Sequence, residues 1–340
     1  MTSVRRFALV LCLLLAGSPA AARAASVGIF YYPWYSVPSH DGSYAHWQQD
    51  GRAPPADIAS NYYPARGPYS SGDPAVVNAQ MREIAGAGVD EVISSWWGWG
   101  SVEDQRLPQV IASARANGLS VAVQIEPYLG RSVETVAADI EHLRGLGITR
   151  VYLYRPWQTA EDWSPLNASL TGVEVLAQTA NVAWAAAEHF AGVYTYDILR
   201  YGPSAFGGFC GRARAAHLLC APSVGPGYEA NRATGDVRIE PRRNGATYDA
   251  MWSAAIAARP DEVTVTSYNE WHEGTQIEPA ASRSGRRSAA VRGYLTYDGA
   301  WGMHGRTAQR AYLWRTAYWA KLFALGHAPS RWRSAFAASP

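Results

Sequence analysis

A short β-branched run and a loop rich in carboxylates and aromatic rings adjoin in Val263-Thr264-Val265-Thr266-Ser267-Tyr268-Asn269-Glu270-Trp271-His272-Glu273. The run is typical of a buried strand. Glu270 and Glu273 are three residues apart in the loop, and this spacing alone also fits an exposed acidic turn. Surface turns rarely carry Trp and His between two carboxylates. The stretch therefore favours a strand that delivers a functional loop at its C-terminal end.

Short apolar runs of this kind alternate with longer segments of helical period along the chain. The predicted strands are 27–31, 91–95, 121–125, 151–154, 173–176, 193–196, 218–221 and 263–266, and the predicted helices are 75–87, 105–117, 132–144, 181–190, 247–258 and 307–325. Repeated strand and helix pairs predict a parallel sheet closed into a barrel. We therefore expect an α/β fold, a (β/α)8 TIM barrel in a single domain.

Polar and aromatic residues follow the predicted strands at their C-terminal ends. They include Tyr32 and Trp34 after the first strand, Trp97 after the second, Glu126 and Tyr128 after the third, Asp197 after the sixth and Tyr228 after the seventh. In a parallel barrel these ends share one face, which is the face that carries active sites. The long loop 36–72, rich in Pro, Gly and Ser, is expected to cover the barrel mouth.

The N-terminus reads as a targeting segment. Arg5 and Arg6 precede the apolar run 7–16, and small residues follow up to Ala25. This pattern predicts a cleavable secretory signal over residues 1–25 and a catalytic domain over 26–340. The run is too short to span a bilayer, although a retained anchor is the alternative. We expect an extracellular protein without a membrane span.

The net charge does not indicate binding to nucleic acid or to an anionic membrane surface. Without Arg5, Arg6 and Arg23, 27 basic residues stand against 28 acidic ones, so the formal net charge changes from +2 to −1. Such a balance does not attract a polyanion.

Two cysteines remain after the predicted signal. Cys210 and Cys220 could form a disulfide in an exported chain. Cys220 also sits in an apolar run, where a buried free thiol is equally natural. No cysteine spacing indicates a metal site.

Several motifs occur in a fixed order over about residues 27 to 280. They include Tyr31-Tyr32-Pro33-Trp34-Tyr35, Tyr44-Ala45-His46-Trp47, Gln124-Ile125-Glu126-Pro127-Tyr128, Pro222-Ser223-Val224-Gly225-Pro226-Gly227-Tyr228 and Asn269-Glu270-Trp271-His272-Glu273-Gly274-Thr275-Gln276-Ile277-Glu278. Together these motifs resemble glycoside hydrolase family 99, the endo-α-1,2-mannosidases and endo-α-1,2-mannanases. The chain departs from the family between Tyr128 and Gly192. Tyr154-Arg155-Pro156-Trp157 stands where an aspartate-containing stretch is typical, which bears on the outer sugar subsites.

The resemblance implies a retaining hydrolase that cuts within an α-mannan or high-mannose glycan, without a metal or organic cofactor. Separately, we expect a monomer. The resemblance further implies that Glu273 is the general acid and then the general base. It also implies that Glu270 deprotonates the sugar 2-hydroxyl, which attacks the anomeric carbon and forms a 1,2-anhydro sugar. Direct attack by Glu270 stays open, since a barrel loop can aim two carboxylates at one ring.

Further residues are predicted to bind substrate. They are Tyr32, Trp34, His46, Trp97, Glu126, Tyr128, Tyr196, Tyr228, Asn269 and His272. Core packing is the alternative for each aromatic ring. Glu126 could also be a carboxylate partner across the sugar or form a structural pair with an arginine. A metal role for His46 and His272 is not expected, because neither has a second histidine at ligand spacing.

Two other functions remain open. One is hydrolysis of a different α-glycan, such as an α-1,3-glucan. The other is glycan binding by a secreted barrel that has lost catalysis, although the intact Glu270 and Glu273 oppose it. The apolar face of Trp97 favours mannan, because by family resemblance mannanases carry Trp where glucose-accepting enzymes carry Tyr.

Overall fold

The computed structural model describes residues 25–282 and 292–326. The strands are β1 Ser26–Tyr31, β2 Glu91–Trp96, β3 Ser120–Ile125, β4 Arg150–Leu153, β5 Glu174–Gln178, β6 Gly192–Tyr194, β7 Leu219–Ala221, β8 Ser223–Val224, β9 Tyr228–Glu229, β10 Ile239–Glu240 and β11 Glu262–Val265. Apart from Ala25, the predicted signal lies outside the described residues. So do residues 327–340 of the predicted catalytic domain.

Helices follow most of the strands. They are α1 Pro38–Asp41, α2 Pro74–Gly86, α3 Val102–Ala116, α4 Val133–Gly145, α5 Ser164–Ser169, α6 Val182–Ala187, α7 Pro203–Ala215, α8 Asn231–Thr234, α9 Ala246–Ala257, α10 Gly305–Ala308 and α11 Ala311–Ala324. Short 3-10 turns cover Gln49–Gly51, Pro156–Gln158, Arg243–Gly245 and Ala300–Gly302. None of the helices in the described ranges combines the length and the apolar character that crossing a bilayer requires.

The main sheet closes into a barrel of parallel strands. Its order is β7-β6-β5-β4-β3-β2-β1-β11-β8, and β7 and β8 are the two halves of one strand separated by Pro222. β7 pairs with β6 and β8 pairs with β11. Pro222 has no N–H to give to a ladder, so the partner changes at this residue. Each of the eight predicted strands overlaps a barrel strand, which confirms the predicted (β/α)8 fold.

The predicted helices also overlap observed ones. The short helices α1, α5 and α8 were not predicted, and two further differences concern longer segments. The segment predicted as one helix over 307–325 is divided into α10 and α11. Helix α7 was not predicted, because Gly207, Gly208 and Gly211 lower its intrinsic helix propensity. Packing against the barrel stabilises it instead, through Phe206, Phe209 and Cys210, which are buried.

A disulfide ties α7 to the barrel. The Cys210 and Cys220 Cα atoms lie 5.3 Å apart, and their sulfurs are bonded. This resolves the alternatives that the sequence left open. By the chain-entropy estimate, a crosslink over so short a loop stabilises the fold by about 3 kcal/mol.

The N-terminal end of the barrel is closed by charged residues that begin the strands. Arg150 Nη1 lies 3.3 Å from Glu91 Oε2 and 3.1 Å from Glu262 Oε2, and the Tyr152 hydroxyl donates to Glu262 Oε2 at 2.7 Å. All four side chains are buried. A Cβ on Gly28 would lie 2.5 Å from Glu262 Oε1, so glycine is required there. We call Glu91, Arg150, Tyr152 and Glu262 the floor cluster.

Aromatic rings fill the barrel between the floor cluster and the opposite end. The Phe30 ring lies 6.0 Å from Tyr152, 5.9 Å from Tyr194 and 5.1 Å from Tyr196 between centroids. Because this interior is packed, polar chemistry is confined to the face at the C-terminal ends of the strands.

The loop between β1 and α2 covers part of that C-terminal face. Ala65 N–H donates to the Pro279 carbonyl at 2.8 Å, and Ala281 N–H donates to the Tyr63 carbonyl at 2.7 Å. These bonds join the loop, which was expected to cover the barrel mouth, to the segment that follows β11. The two segments form one wall beside Glu270 and Glu273.

Candidate active site

The loop after β11 is anchored by Glu278, which is fully buried. Glu278 Oε1 accepts from Arg66 Nε at 2.8 Å and from Gln80 at 3.0 Å. Its Oε2 accepts from the Tyr69 hydroxyl at 2.7 Å and from the Trp271 indole at 2.9 Å. A buried carboxylate with this many donors fixes the path of the chain. The loop that carries the glutamate pair is therefore held rigidly.

Asn269 joins this loop to the end of β1. Its Oδ1 accepts from Tyr32 N–H at 2.8 Å, and its Nδ2 donates to the Tyr32 carbonyl at 3.0 Å and to the Tyr69 hydroxyl at 3.2 Å. The side chain is fully buried. Asn269 was predicted to bind substrate, but its amide is used within the protein. The structure gives it a positioning role.

Glu270 is buried among groups that donate hydrogen bonds. Its backbone N–H donates to Ser267 Oγ at 2.8 Å, and the His272 backbone N–H donates to Glu270 Oε1 at 3.2 Å. Burial and the charge of Glu273 raise the pKa of Glu270, while the backbone amides of His272 and Glu273 oppose that rise. Donors of this kind favour the ionised form of a carboxyl group.

Glu273 lies in a different environment. Burial, followed by the nearby Asp197 carboxylate, raises the pKa of Glu273 to about 7. The Tyr196 hydroxyl lies 3.3 Å from Glu273 Oε2 and 2.5 Å from the Tyr32 hydroxyl. A carboxyl group with a pKa near neutrality can hold a proton and release it during a reaction. Because burial raises the pKa of Glu270 well above its ordinary value and that of Glu273 to about 7, the pair can carry a proton at neutral pH.

Three flat rings stack beside Glu270. The Trp34 and His46 rings lie 4.5 Å apart with an interplanar angle of 6°, and the His46 and His272 rings lie 5.4 Å apart. His272 Nε2 donates to the His46 carbonyl at 2.6 Å, which leaves Nδ1 facing Glu270 Oε1 at 3.6 Å. Burial lowers the pKa of His272 to about 4 and of His46 to about 3. Both imidazoles are therefore neutral at ordinary pH.

Glu126 is buried at the end of β3. Its Oε1 accepts from Ser95 Oγ at 2.8 Å and from Gln124 Nε2 at 2.7 Å. Burial raises the pKa of Glu126 to about 7. Its charge also raises the pKa of Glu270 and of Glu273. Neutral donors therefore bond Glu126, rather than the arginine that the sequence had left as an alternative. Because the charge of Glu126 affects both Glu270 and Glu273, the three carboxyl groups form one site.

The remaining predicted residues lie around the rim of this face. Trp97 is exposed after β2, with 38% of its surface open. The Tyr128 hydroxyl is bonded to Asp139 and lies 3.1 Å from Thr135 Oγ1, which ties it to α4. The Tyr228 hydroxyl donates to Asp236 Oδ2 at 2.9 Å. Trp97 therefore has surface open to a ligand, whereas Tyr128 and Tyr228 are partly exposed and their hydroxyls are already engaged within the protein.

A cavity opens beside Glu273. Its lining includes Tyr154, Arg155, Tyr196, Asp197, Tyr228 and Arg238 together with Glu273. Hydroxyl, guanidinium and carboxylate groups converge there next to aromatic rings, which suits a ligand with many hydroxyls and one apolar ring face.

Comparison with known proteins decides the family. The model of glycosyl hydrolase family 99 matches residues 24–156 and 175–325. The chain belongs to glycosyl hydrolase family 99. It is therefore a glycoside hydrolase.

The family assignment agrees with individual relatives. The glycoprotein endo-alpha-1,2-mannosidase-like proteins of Danio rerio and Homo sapiens are 32% and 31% identical to this chain, over 80% and 79% of it and 74% and 70% of their own lengths. The GH99 endo-alpha-mannosidase from Bacteroides thetaiotaomicron superposes with a TM-score of 0.78 at 29% identity, over 88% of this chain and 98% of that one.

Several residues of this family 99 site were not singled out from the sequence. Asp197 was noted only as following the sixth strand, and Tyr154 and Arg155 belong to the stretch that departs from the family. Arg238 lies between β9 and β10, where no strand or motif marked it. The one feature of the sequence that could have identified any of these residues was the position of Asp197 after a predicted strand, because the C-terminal ends of strands form the active sites of barrels.

Metal ligands are a separate question for this family 99 site. Within the residues that the structure describes, no three side chains of His, Cys, Asp or Glu converge as a metal site would require. The expectation of metal-independent chemistry remains a prediction.

Proposed function

We propose that this family 99 chain is an exported, endo-acting α-mannoside hydrolase that works with retention through Glu270 and Glu273. The observation that carries the proposal is the buried glutamate pair, in which backbone amides face Glu270 and burial raises the pKa of Glu273 to about 7. One group suits a base and the other an acid. The names of its relatives, endo-alpha-mannosidases, support the substrate class.

The first half of the reaction breaks the glycosidic bond. Glu270 takes the proton of the sugar 2-hydroxyl, and the 2-oxygen attacks the anomeric carbon. Glu273 gives its proton to the glycosidic oxygen, so the leaving sugar departs as a neutral alcohol and a 1,2-anhydro sugar remains. Acid assistance of this kind contributes about 10²–10⁴-fold to the rate.

The second half reverses the proton movements. Water attacks the anomeric carbon and passes a proton to Glu273, while the 2-oxygen recovers its proton from Glu270. Two displacements at the same carbon restore the starting configuration. Both carboxyl groups return to their initial states, as a retaining reaction requires.

Stereochemistry favours a mannoside over an α-glucoside in this scheme. In an α-mannoside the 2-oxygen lies on the ring face opposite the leaving oxygen, so it can approach the anomeric carbon from behind. In an α-glucoside the two oxygens lie on the same face. An α-glucan substrate would therefore require direct attack by a carboxylate, and the backbone amides around Glu270 would then stabilise a nucleophile.

Trp97 supports a preference for mannan over glucose-capped glycans. Its exposed indole offers an apolar face and no hydroxyl to bond a glucose 2-hydroxyl. We expect faster release of mannobiose than of glucosyl-mannose from matched substrates. The reverse order would reject this preference.

Product analysis tests the activity. The chain is incubated with an α-mannan and with a glucosylated high-mannose glycan, and the products are separated and weighed by mass spectrometry. Release of oligosaccharides by the wild type, and not by Glu273→Gln, supports the proposal. Release of single mannose units would indicate an exo-acting enzyme. Glycan binding without any product would indicate a silent binding protein.

Export and oligomeric state belong to the same proposal. Arg5, Arg6 and the apolar run 7–16 support a cleaved signal. Secretion can be checked by N-terminal sequencing of protein from the culture medium, which should begin near residue 26. We expect a monomer, and light scattering at about twice the chain mass would contradict this.

A further inference from the structure

A second cleft lies at the rim of the C-terminal face, next to the end of β5. Its lining includes Trp157, Thr179, Asn181, Trp184, Arg200 and Tyr201, which we call the outer cleft. Its volume of about 390 Å³ falls within the range of about 300–1,000 Å³ typical of small-molecule sites. None of these residues was predicted to bind substrate.

The outer cleft continues the cavity at Glu273. β5 lies between β4 and β6 in the barrel, and the loops that follow β4 and β6 wall both spaces. Arg155 and Leu199 line the cavity at Glu273, whereas Trp157 and Arg200 line the outer cleft. Adjacent residues of the same two loops therefore line the two spaces.

Trp157 is held in place with part of its surface open. Its indole N–H donates to the Gln178 carbonyl at 3.1 Å, and 45% of its surface is exposed. The loop around it is fixed by the Pro156 carbonyl, which accepts from the Trp163 indole at 3.2 Å and from Thr159 Oγ1 at 3.1 Å. A fixed, open indole can stack on a sugar ring at little entropic cost.

Polar groups accompany the aromatic rings of the outer cleft. The Arg200 guanidinium lies 5.5 Å from the Tyr201 ring centroid, and Asn181 caps α6 by accepting from Trp184 N–H at 3.2 Å. Guanidinium and amide donors beside ring faces match a pyranose, which has hydroxyls at its edge and C–H groups on its face.

Trp157 lies outside the family match, whereas the other lining residues of the outer cleft lie within it. The family model matches up to residue 156 and resumes at residue 175. Trp157 is therefore the first residue of the unmatched segment. A binding function of Trp157 would distinguish this enzyme within the family.

We propose that the outer cleft binds a mannose residue on the leaving-group side of an α-mannan chain, beyond the residue that occupies the cavity at Glu273. This rests on the proposed function, because Glu273 as the acid must face the leaving oxygen. The cavity that contains Glu273 then holds the leaving group. The enzyme selects substrates that extend several sugars towards the reducing end.

A length series of α-mannan oligosaccharides tests this inference. One set is extended at the reducing end and the other at the non-reducing end, and kcat/KM is measured for each. The wild type should gain roughly tenfold from reducing-end extension into the outer cleft. Trp157→Ala should lower the value for long substrates to that for short ones. Trp157→Phe should keep most of the gain, since it retains a ring.

Trp314 supplies a matched control. It lies on α11 and is 47% exposed, close to the value for Trp157, but it borders a groove against α2 on the outside of the barrel. Trp314→Ala should keep the full gain from reducing-end extension.

The outcomes separate this inference from the proposed function. A wild type that cleaves all lengths equally well, or a gain that survives in Trp157→Ala, would overturn the outer cleft alone. A Trp157-dependent gain confined to non-reducing-end extension would overturn its assignment to the leaving-group side. A wild type that cleaves no mannoside would contradict both.

Discussion

Glu270 and Glu273 share one buried site, yet their neighbours separate their roles. The His272 backbone amide bonds Glu270, whereas Glu273 faces the Asp197 carboxylate and a tyrosine hydroxyl. Backbone donors favour the ionised form of a carboxyl group, and an acidic neighbour favours the neutral form. The proposed division of labour, with Glu270 as base and Glu273 as acid, can be tested by single substitutions.

Glu273→Gln should affect substrates according to their leaving group. A natural sugar leaving group needs a proton, so its turnover should fall about 10²–10⁴-fold. A glycoside with a very acidic leaving group should retain most of its rate. Glu270→Gln should impair both substrates, because activation of the 2-hydroxyl is needed whatever departs. Small, equal losses in both variants would remove this pair from catalysis and bring Glu126 forward.

The pH dependence of kcat/KM should reveal the titration of Glu273. Because its pKa is raised to about 7, kcat/KM should fall as the pH rises above about 7 and the proton is lost. The Tyr196 hydroxyl bond lowers this pKa. Tyr196→Phe should therefore move the alkaline limb upwards by up to about one pH unit. An unchanged or downward limb in Tyr196→Phe would speak against Glu273 as the acid.

The sequence identified the glutamate pair but not the role of each neighbour. Asn269 and Tyr32 lie 237 positions apart, and only the closed barrel brings them together. An amide side chain serves equally well as a sugar ligand or as a clamp on the backbone. Arg238 follows no predicted strand. A search for polar residues at the C-terminal ends of strands could therefore not find it.

The floor cluster and the active site occupy opposite ends of the same strands. Glu262 begins β11, and the loop that follows β11 carries Glu270 and Glu273. Burial raises the pKa of Glu262 to about 7. The cluster therefore makes stability, rather than catalysis, depend on pH.

Glu262→Gln should flatten the pH dependence of stability. The folded-state pKa of Glu262 lies above its ordinary value of 4.5. Its contribution to stability is therefore fully present below about pH 4.5 and is lost as the pH rises through about 7. The variant cannot titrate there, so its free energy of unfolding should fall less between pH 4.5 and 7.

Denaturant unfolding across this pH range supplies the measurement. Glu141→Gln is the control, since Glu141 pairs with Arg144 at 2.7 Å on the surface of α4 and its side chain is 64% exposed. It should keep the wild-type slope. Parallel slopes for the wild type and Glu262→Gln would contradict this view of the floor cluster.

The barrel strands were predictable where the chain alternates apolar runs with turns, and the exceptions have physical causes. Pro222 divides the seventh strand because it lacks an N–H, an effect that a hydrophobic pattern does not register. Helix α7 depends on tertiary packing and a disulfide, which local propensity does not measure. Most of the site residues could be predicted once the strands were, because they follow the C-terminal ends of those strands.

The molecule as a whole should work without a divalent ion. The proposed chemistry runs on carboxyl groups, and no metal cluster occurs in residues 25–282 and 292–326. Exhaustive dialysis against EDTA should leave the initial rate on α-mannan within about twofold of the untreated enzyme. Loss of turnover that one added metal restores would contradict the mechanism.

Retention within an endo-acting α-mannosidase is the central claim, and product stereochemistry tests it most directly. An α-1,2-linked mannan oligosaccharide is cleaved in an NMR tube, and the anomeric signal of the released oligosaccharide is followed before mutarotation. We predict that the α-anomer appears first, because two displacements at the anomeric carbon restore its configuration. First appearance of the β-anomer would show a single displacement and contradict the account.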